Sequence, residues 1–164
     1  MGPYPEPQRP PDHTTDTNVA TCPNCGQRNR VPACGPGIPR CAQCHQWLPW
    51  IAAAGDRDFA DVVASSTVPV VVDFSASWCA PCRMVSPALV QLATERASAL
   101  KLVKVDVDAA PAVARRFAVQ SVPILLLVDR GQILARHSGA APATVLRSWV
   151  DHALSGTAAG TRHG

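Results

Sequence analysis

Six of the seven cysteines in the sequence stand in three Cys-x-x-Cys pairs, a spacing that serves two kinds of chemistry. Such a pair can form and break a disulfide bond, or it can donate two thiolates to a metal ion. The pairs are "CPNC" at 22–25, "CAQC" at 41–44 and "CAPC" at 79–82, and Cys34 stands alone. The amino terminus lacks a basic start followed by an apolar run, so we expect a cytoplasmic protein. In that reducing compartment, close cysteine pairs indicate metal binding or thiol chemistry.

The pair at Cys79 and Cys82 stands where a predicted buried strand, "VPVVVDF", ends and a helical pattern begins. Unpaired N–H groups and the positive dipole end at a helix start lower the pKa of a thiol such as Cys79 from its usual value of about 8.5. Cys82 follows one turn later, within disulfide reach. Pro81 suits the first turn, where its missing N–H is not needed. We therefore interpret this pair as one that makes and breaks a disulfide, the alternative being two buried structural thiols.

The other two pairs are separated by fifteen residues, which gives the pattern C-x2-C-x15-C-x2-C. Two pairs at this spacing predict one tetrahedral zinc site, and reducible disulfides or free thiols are the alternatives. The predicted ligands are Cys22, Cys25, Cys41 and Cys44. Residues 21–46 have few aliphatic side chains, so zinc would supply the constraint that a small core cannot. Cys34 and His45 complete no spaced pair, and we expect a free thiol and a surface neighbour of the site.

The charge pattern excludes some partners. The net charge is +3, with no predicted basic face, so nucleic acid is not expected to bind. Four thiolates and one Zn²⁺ sum to −2, and Arg28, Arg30 and Arg40 are expected to offset this charge. No apolar run approaches the roughly 18 residues of a membrane span, so we expect no membrane partner. We expect a monomer.

Strand and helix patterns alternate in the order βαβαβαββα, which predicts an α/β domain with a mixed sheet over residues 47–155. Five prolines within the first eleven residues indicate a disordered leader, set at 1–20. The zinc ribbon is set at 21–46, between the leader and the α/β domain. A loose Gly/Ala/Thr stretch at 156–164 is predicted to be a disordered tail.

Five separated motifs, "VVVDFSASWCAPC", "KVDVD", "SVPILLL", "DRGQ" and "HSGA", together resemble the thioredoxin family over roughly residues 47–155. The resemblance implies the thioredoxin fold, a central mixed sheet flanked by helices, and protein-disulfide reductase activity. It also implies a cis peptide at Val122–Pro123 and substrate binding by Trp78, Val122, Pro123 and Gly139. A two-pair ribbon ahead of such a domain is the layout of the thioredoxin-2 type.

The resemblance implies that Cys79 attacks a target disulfide and that Cys82 resolves the mixed disulfide. Asp73, inside the buried strand, is then a proton carrier for Cys82, or else a chance core residue. Lys104 matches a buried lysine that would tune this acid, or it is an ordinary strand-edge lysine. The implied partners are thioredoxin reductase, which would use NADPH, and disulfide-containing proteins. No bound organic cofactor is expected.

Two positions depart from the usual pattern of the family. Ala80 stands for a glycine and Ser75 for a tryptophan, which affects the expected potential and pKa of the site but not the reaction class. A second function remains open, in which the chain is a zinc-dependent redox sensor or a chaperone-like binding module. A net disulfide oxidase is disfavoured by Pro81 and by the lack of an export signal.

Overall fold

The computed structural model describes residues 17–35 and 37–160. Two strands form an amino-terminal hairpin, β1 (Thr17–Thr21) and β2 (Arg28–Pro32). The strands of the central sheet are β3 (Trp50–Ala53), β4 (Val70–Ser75), β5 (Lys101–Asp106), β6 (Ile124–Asp129) and β7 (Gln132–Ser138). The helices are α1 (Phe59–Ala64), α2 (Ala80–Glu95), α3 (Pro111–Arg116) and α4 (Ala143–Gly160).

The central sheet has the strand order β3-β5-β4-β6-β7. Strands β3, β5 and β4 are parallel, and β6 and β7 continue the sheet in antiparallel register. Arg130 and Gly131 have φ values of 51° and 78° in the tight turn between β6 and β7, as a twisted two-residue hairpin requires. The predicted α/β class with a mixed sheet is therefore confirmed.

The sheet is covered on both faces because its central strands alternate between two cores. Val72 and Phe74 of β4 pack toward α1 and α3. Val71, one residue away, packs with Leu89 of α2 and Leu146 of α4. This explains why β4 reads as a continuous apolar run rather than an alternating one. Because Asp73 lies in this run, its carboxyl is buried on the face that α2 covers.

Two predicted boundaries differ from the structure. The leader was expected to extend to residue 20, but β1 begins at Thr17, where it pairs with β2 from Thr17↔Pro32 to Thr21↔Arg28. Backbone hydrogen bonds to β2 hold this stretch in a strand, and no pattern within the stretch itself predicts them. The predicted tail begins at 156, but α4 continues to Gly160 because alanines there extend the helix. Residues 1–16 and 161–164 lie outside the described residues.

The segment from residue 17 to 49, here called the cysteine segment, shares a core with the α/β domain. Cys22, Val31, Cys41 and Leu48 pack in one cluster with Trp50 of β3 and Val68 before β4. The indole Nε1 of Trp50 also donates to Pro32 O at 3.0 Å. The segment was expected to have no apolar core of its own, and the core it has is completed by side chains of the central domain.

Lys101, the first residue of β5, is fully buried at this junction with an exposure of 0%. Its Nζ donates to Ala33 O at 2.6 Å and to Val62 O at 2.7 Å, and it lies 4.1 Å from the ring centroid of Trp50. The ammonium therefore joins the cysteine segment to the last turn of α1, where free carbonyls favour a cation. Among the described residues, no helix is long and apolar enough to cross a membrane.

Candidate disulfide-exchange and metal sites

Cys79 and Cys82 are bonded to each other at the start of α2, directly after the carboxyl end of β4. Cys79 is the N-cap residue of α2, and its Sγ accepts from the backbone N–H of Cys82 at 3.2 Å. Pro81 lies in the first turn, as predicted. The structure thus places this disulfide where, after reduction, a helix start stabilises negative charge on the first sulfur.

The loop before β6 lies against this pair. The peptide bond between Val122 and Pro123 is cis, as the resemblance implies, and Val122 O lies 3.6 Å from Cys79 Sγ. The N–H of Gly139 donates to Pro123 O at 3.0 Å, and Gly139 has a φ of 87°, a value that glycine adopts without strain. Val122 therefore lies beside the Cys79 sulfur, and Gly139 is held against the next residue, Pro123.

Two large apolar side chains close to the pair in the sequence are exposed. Trp78 is 68% exposed, and its Nε1 donates to Asp108 Oδ2 at 2.9 Å. Met84, one turn along α2 from Ala80, is 75% exposed. The sequence reading missed Asp108 and Met84. Their types are common on surfaces, and only the fold brings Asp108 to Trp78 across thirty positions.

Asp73 is 2% exposed, and its Oδ1 has no hydrogen-bond partner in the described part of the chain. Burial raises the pKa of Asp73 to about 6, and the positive charge of Lys104 opposes this shift. A cavity of about 290 Å³ is lined by Asp73, Cys82 and Lys104, among others. It is large enough for several waters, each of which needs roughly 30 Å³. A proton could therefore pass between Asp73 and Cys82 through water.

Lys104 is less buried than the family resemblance implies. It is opposite Asp73 in the β4–β5 register, but it is half-buried rather than buried. Its Nζ donates to Ser86 Oγ at 2.9 Å, and neither of the two ion pairs within residues 17–35 and 37–160 includes it. The fully buried lysine of this sheet is Lys101 instead.

The other two cysteine pairs meet at a second site. The four Sγ atoms of Cys22, Cys25, Cys41 and Cys44 all lie within 4.8 Å of one another. Two contacts run between the pairs, from Cys22 to Cys44 at 3.6 Å and from Cys25 to Cys41 at 3.5 Å. Tetrahedral zinc–thiolate bonds of about 2.3 Å would place neighbouring sulfurs roughly 3.8 Å apart. The donor set therefore fits one thiolate-bound ion of the zinc type.

The two pairs have the same backbone geometry. Gly26 N donates to Cys22 O at 2.9 Å, and His45 N donates to Cys41 O at 3.0 Å. Gly26 and His45 follow the second cysteine of each pair with φ values of 79° and 64°. The backbone N–H groups of Cys44 and Gln43 are among the donors that lower the pKa of the Cys41 thiol to about 6. The sulfur of Cys41 is thus favoured as a thiolate, the form that binds metal.

Asn29 connects the two pairs, a role that the sequence reading missed. From β2 its Nδ2 donates to Cys41 Sγ at 3.5 Å and to Gln27 O at 3.0 Å, and its Oδ1 accepts from Ala42 N at 2.9 Å. Its position between two Cys-x-x-Cys pairs is visible in the sequence. Its hydrogen bonds are not, because Cys41 and Ala42 are distant from it along the chain. Such outer partners orient metal ligands.

Predictions were also made for Cys34, for His45 and for three arginines of this segment. Cys34 is a free, half-buried thiol, and His45 is exposed. Arg28 and Arg30 are exposed on β2, while Arg40 lies 4.4 Å from the ring centroid of Trp47. The suggestion that these arginines offset the charge of the metal site stays a prediction.

A dithiol pair at a helix start, beside a cis-proline loop and at the end of a central strand of a mixed sheet, defines a thiol–disulfide oxidoreductase site. Comparison with known proteins agrees with this class. The family described as Thioredoxin matches residues 50–152, and the chain belongs to that family.

Curated relatives point the same way. The chain is 34% identical to thioredoxin C-3 of Corynebacterium nephridii over 139 residues, which cover 83% of this chain and 95% of that protein. It is 44% identical to a thioredoxin of Haemophilus influenzae over 96 residues, 58% of this chain and 90% of the relative. It is 50% identical to a thioredoxin of Mycobacterium tuberculosis over 97 residues, 58% of this chain and 84% of the relative. The chain is a thioredoxin-type disulfide oxidoreductase.

Proposed function

We propose that the chain is a protein-disulfide reductase of the thioredoxin-2 type, in which Cys79 and Cys82 carry two electrons to disulfides of cytoplasmic proteins. The observation that supports this most strongly is the position of Cys79. Its sulfur caps α2, accepts the N–H of Cys82 and lies beside Val122 O. Thioredoxin reductase, supplied by NADPH, would return the pair to the dithiol form.

The reaction begins on the reduced pair. The Cys79 thiolate attacks one sulfur of a target disulfide, which forms a mixed disulfide and releases the other target sulfur as a thiolate. Cys82 then gives its proton to Asp73 and attacks Cys79 Sγ. The Cys79–Cys82 bond forms, the second target sulfur leaves, and two electrons have passed to the target.

Each protein group around the pair has a different role in this reaction. The Cys82 N–H stabilises the Cys79 thiolate. Asp73 accepts the Cys82 proton through the cavity, and its raised pKa makes it a carrier near neutral pH. Val122, Pro123 and Gly139 offer backbone groups to the substrate chain. Trp78, 68% exposed, offers an apolar contact.

The cysteine segment is proposed to be a structural zinc ribbon with Cys22, Cys25, Cys41 and Cys44 as ligands. The four-sulfur set supports this because its cross-pair distances suit tetrahedral thiolate binding. The zinc would supply cross-linking of the segment and would take no part in electron transfer. We extend the proposed ribbon beyond residues 21–46 because β1 pairs with β2 and Leu48 packs with Cys22 and Cys41.

A redox sensor is the second candidate, because Cys22 and Cys41 belong to the core that contacts the α/β domain. Oxidation of these sulfurs would release the metal and disturb that core. Peroxide titration in the presence of a chromophoric chelator tests this. Metal retained at oxidant levels that convert all Cys79 and Cys82 to the disulfide would remove this candidate.

The main test is insulin reduction by the Cys79→Ser variant with dithiothreitol as the electron source. We expect turbidity to develop at the rate of dithiothreitol alone, because no thiolate remains to attack. Cys34→Ser, which removes a free thiol elsewhere, serves as the control and should retain full activity. A Cys79→Ser protein with the wild-type rate would contradict the assignment.

A further inference from the structure

The ammonium of Lys104 is held away from the carboxyl that it opposes in the sheet. Asp73 and Lys104 are register partners on β4 and β5, and both side chains line the same cavity. Yet the Lys104 Nζ donates to Ser86 Oγ at 2.9 Å, and Asp73 Oδ1 accepts no hydrogen bond in the described part of the chain. A buried carboxyl without a partner beside a half-buried ammonium is unusual, because such groups normally pair.

Ser86 is well placed to cause this separation. It lies on α2 four residues after Cys82, so the two side chains share one helix face, and both line the cavity. The other charged groups that line it are Arg83 and Asp106, both exposed to solvent. On β6 the register partner of Asp73 is Leu125, which carries no charge.

We propose that Ser86 is a positioning residue for disulfide exchange, whose hydroxyl holds the Lys104 ammonium at the cavity wall and leaves the Asp73 carboxyl free to take the Cys82 proton. This inference rests on the proposed function, in which Asp73 accepts that proton. Ser86 itself touches neither substrate nor the reacting sulfurs. It acts through Lys104.

Loss of the hydroxyl has a definite consequence. Lys104 loses its acceptor, and the unpartnered Asp73 Oδ1 is the buried acceptor in the same cavity. A contact ion pair lowers a carboxyl pKa by roughly one unit or more. Asp73 would then be a weaker base at neutral pH and would accept the Cys82 proton more slowly. Binding of the target chain would not change, because Ser86 does not contact it.

The first test is a carbon-13 NMR titration of the Asp73 carboxyl in the oxidised, full-length protein, where no active-site thiol titrates. We expect a midpoint near 6 in the wild type, in agreement with its pKa of about 6. In Ser86→Ala the midpoint should fall by about one unit. Ser86→Thr keeps a hydroxyl and should restore the wild-type value. Ser148→Ala on α4, which also removes a helical serine with a side-chain hydrogen bond, is the control.

The second test is the pH profile of insulin reduction. Ser86→Ala should lower kcat several-fold near neutral pH with KM unchanged, and Ser86→Thr should restore it. An Asp73 midpoint in Ser86→Ala that stays at the wild-type value or rises would overturn the inference. If the wild-type protein reduced no insulin, the proposed function would fail, while the NMR midpoints would still decide the role of Ser86.

Discussion

The redox pair and the two pairs of the proposed metal site have the same spacing but different backbones after the second cysteine. After Cys82 the chain continues as α2, so the two sulfurs of the pair face each other and bond. After Cys25 and Cys44, the left-handed residues Gly26 and His45 turn the chain back. The sulfurs of each metal pair then meet those of the other pair. The path of the backbone, rather than the spacing, distinguishes the two chemistries.

The residue before the second cysteine adds to this difference. In the pair at 41–44, the backbone N–H of Gln43 helps to lower the pKa of the Cys41 thiol. Pro81 holds the same position in the redox pair and has no N–H to donate. The Cys79 sulfur accepts from Cys82 N, and the corresponding N–H of Cys44 helps to lower the pKa of the Cys41 thiol. The redox pair therefore lacks one backbone donor that the pair at 41–44 has.

The largest expected effect comes from removal of one metal ligand. Cys41→Ser should lose bound zinc and several kcal/mol of unfolding free energy, because apparent metal affinity in such sites contributes on the order of 10 kcal/mol to folding. Native mass spectrometry and urea unfolding measure the two quantities. Cys34→Ser, the control, should keep one zinc per chain. A Cys41→Ser protein that binds zinc as tightly as the wild type would show that the segment is not the proposed ribbon.

The next largest effect is expected at Lys101, which joins the cysteine segment to the α/β domain. Lys101→Met removes the donor to Ala33 O and Val62 O, and each buried carbonyl left unsatisfied costs about 1–3 kcal/mol. Removal of a buried charge offsets part of this loss. We therefore expect a net destabilisation of about 2 kcal/mol at pH 7, measured by urea unfolding.

The pH dependence of the same variant gives a sharper test. Burial lowers the pKa of Lys101 to about 8, below its value in the unfolded chain. The unfolded state thus binds more protons between pH 8 and about pH 10.4, and wild-type stability should rise relative to Lys101→Met as pH increases through this range. A difference between the two proteins that stays constant from pH 7 to 10 would contradict the buried position of this ammonium.

The smallest effect is expected at Gly26 and His45, in the two turns of the proposed metal site. Gly26→Ala should destabilise the protein, and His45→Gly should stabilise it, each by about 1 kcal/mol, because a left-handed backbone strains any residue with a Cβ. No atom lies within 4 Å of a Cβ added at Gly26, so backbone strain is the only term expected. Thermal unfolding of the zinc-loaded protein measures both. Equal shifts of the same sign would indicate that the two turns are not equivalent.

Much of the central domain could be predicted because its signals are local. The run before Asp73, the helical spacing after Cys79 and the turn at Gly131 each depend on neighbours in the chain. The cis bond at Val122 could be named only through the family resemblance. Its place beside the sulfurs agrees with that expectation.

What could not be predicted depends on contacts between distant segments. Asn29, Ser86 and Asp108 are of types that usually face solvent, and only tertiary packing gives them partners. No signal in the sequence indicates that Lys101 is buried, and the family resemblance implied a buried lysine at Lys104 instead. Lys104 is only half-buried, and Lys101 is the fully buried one because the cysteine segment and α1 cover the start of β5.

The junction at Lys101 has a consequence for how this protein can be divided. The family match starts at residue 50, yet Trp50 and Lys101 obtain acceptors from Pro32 and Ala33. A fragment cut at that homology boundary would present a bare indole and would deprive a buried cation of one of its two carbonyls. The stretch that the family match covers is thus shorter than the stretch that shares this core, and we expect a minimal stable reductase from this chain to begin at Thr17.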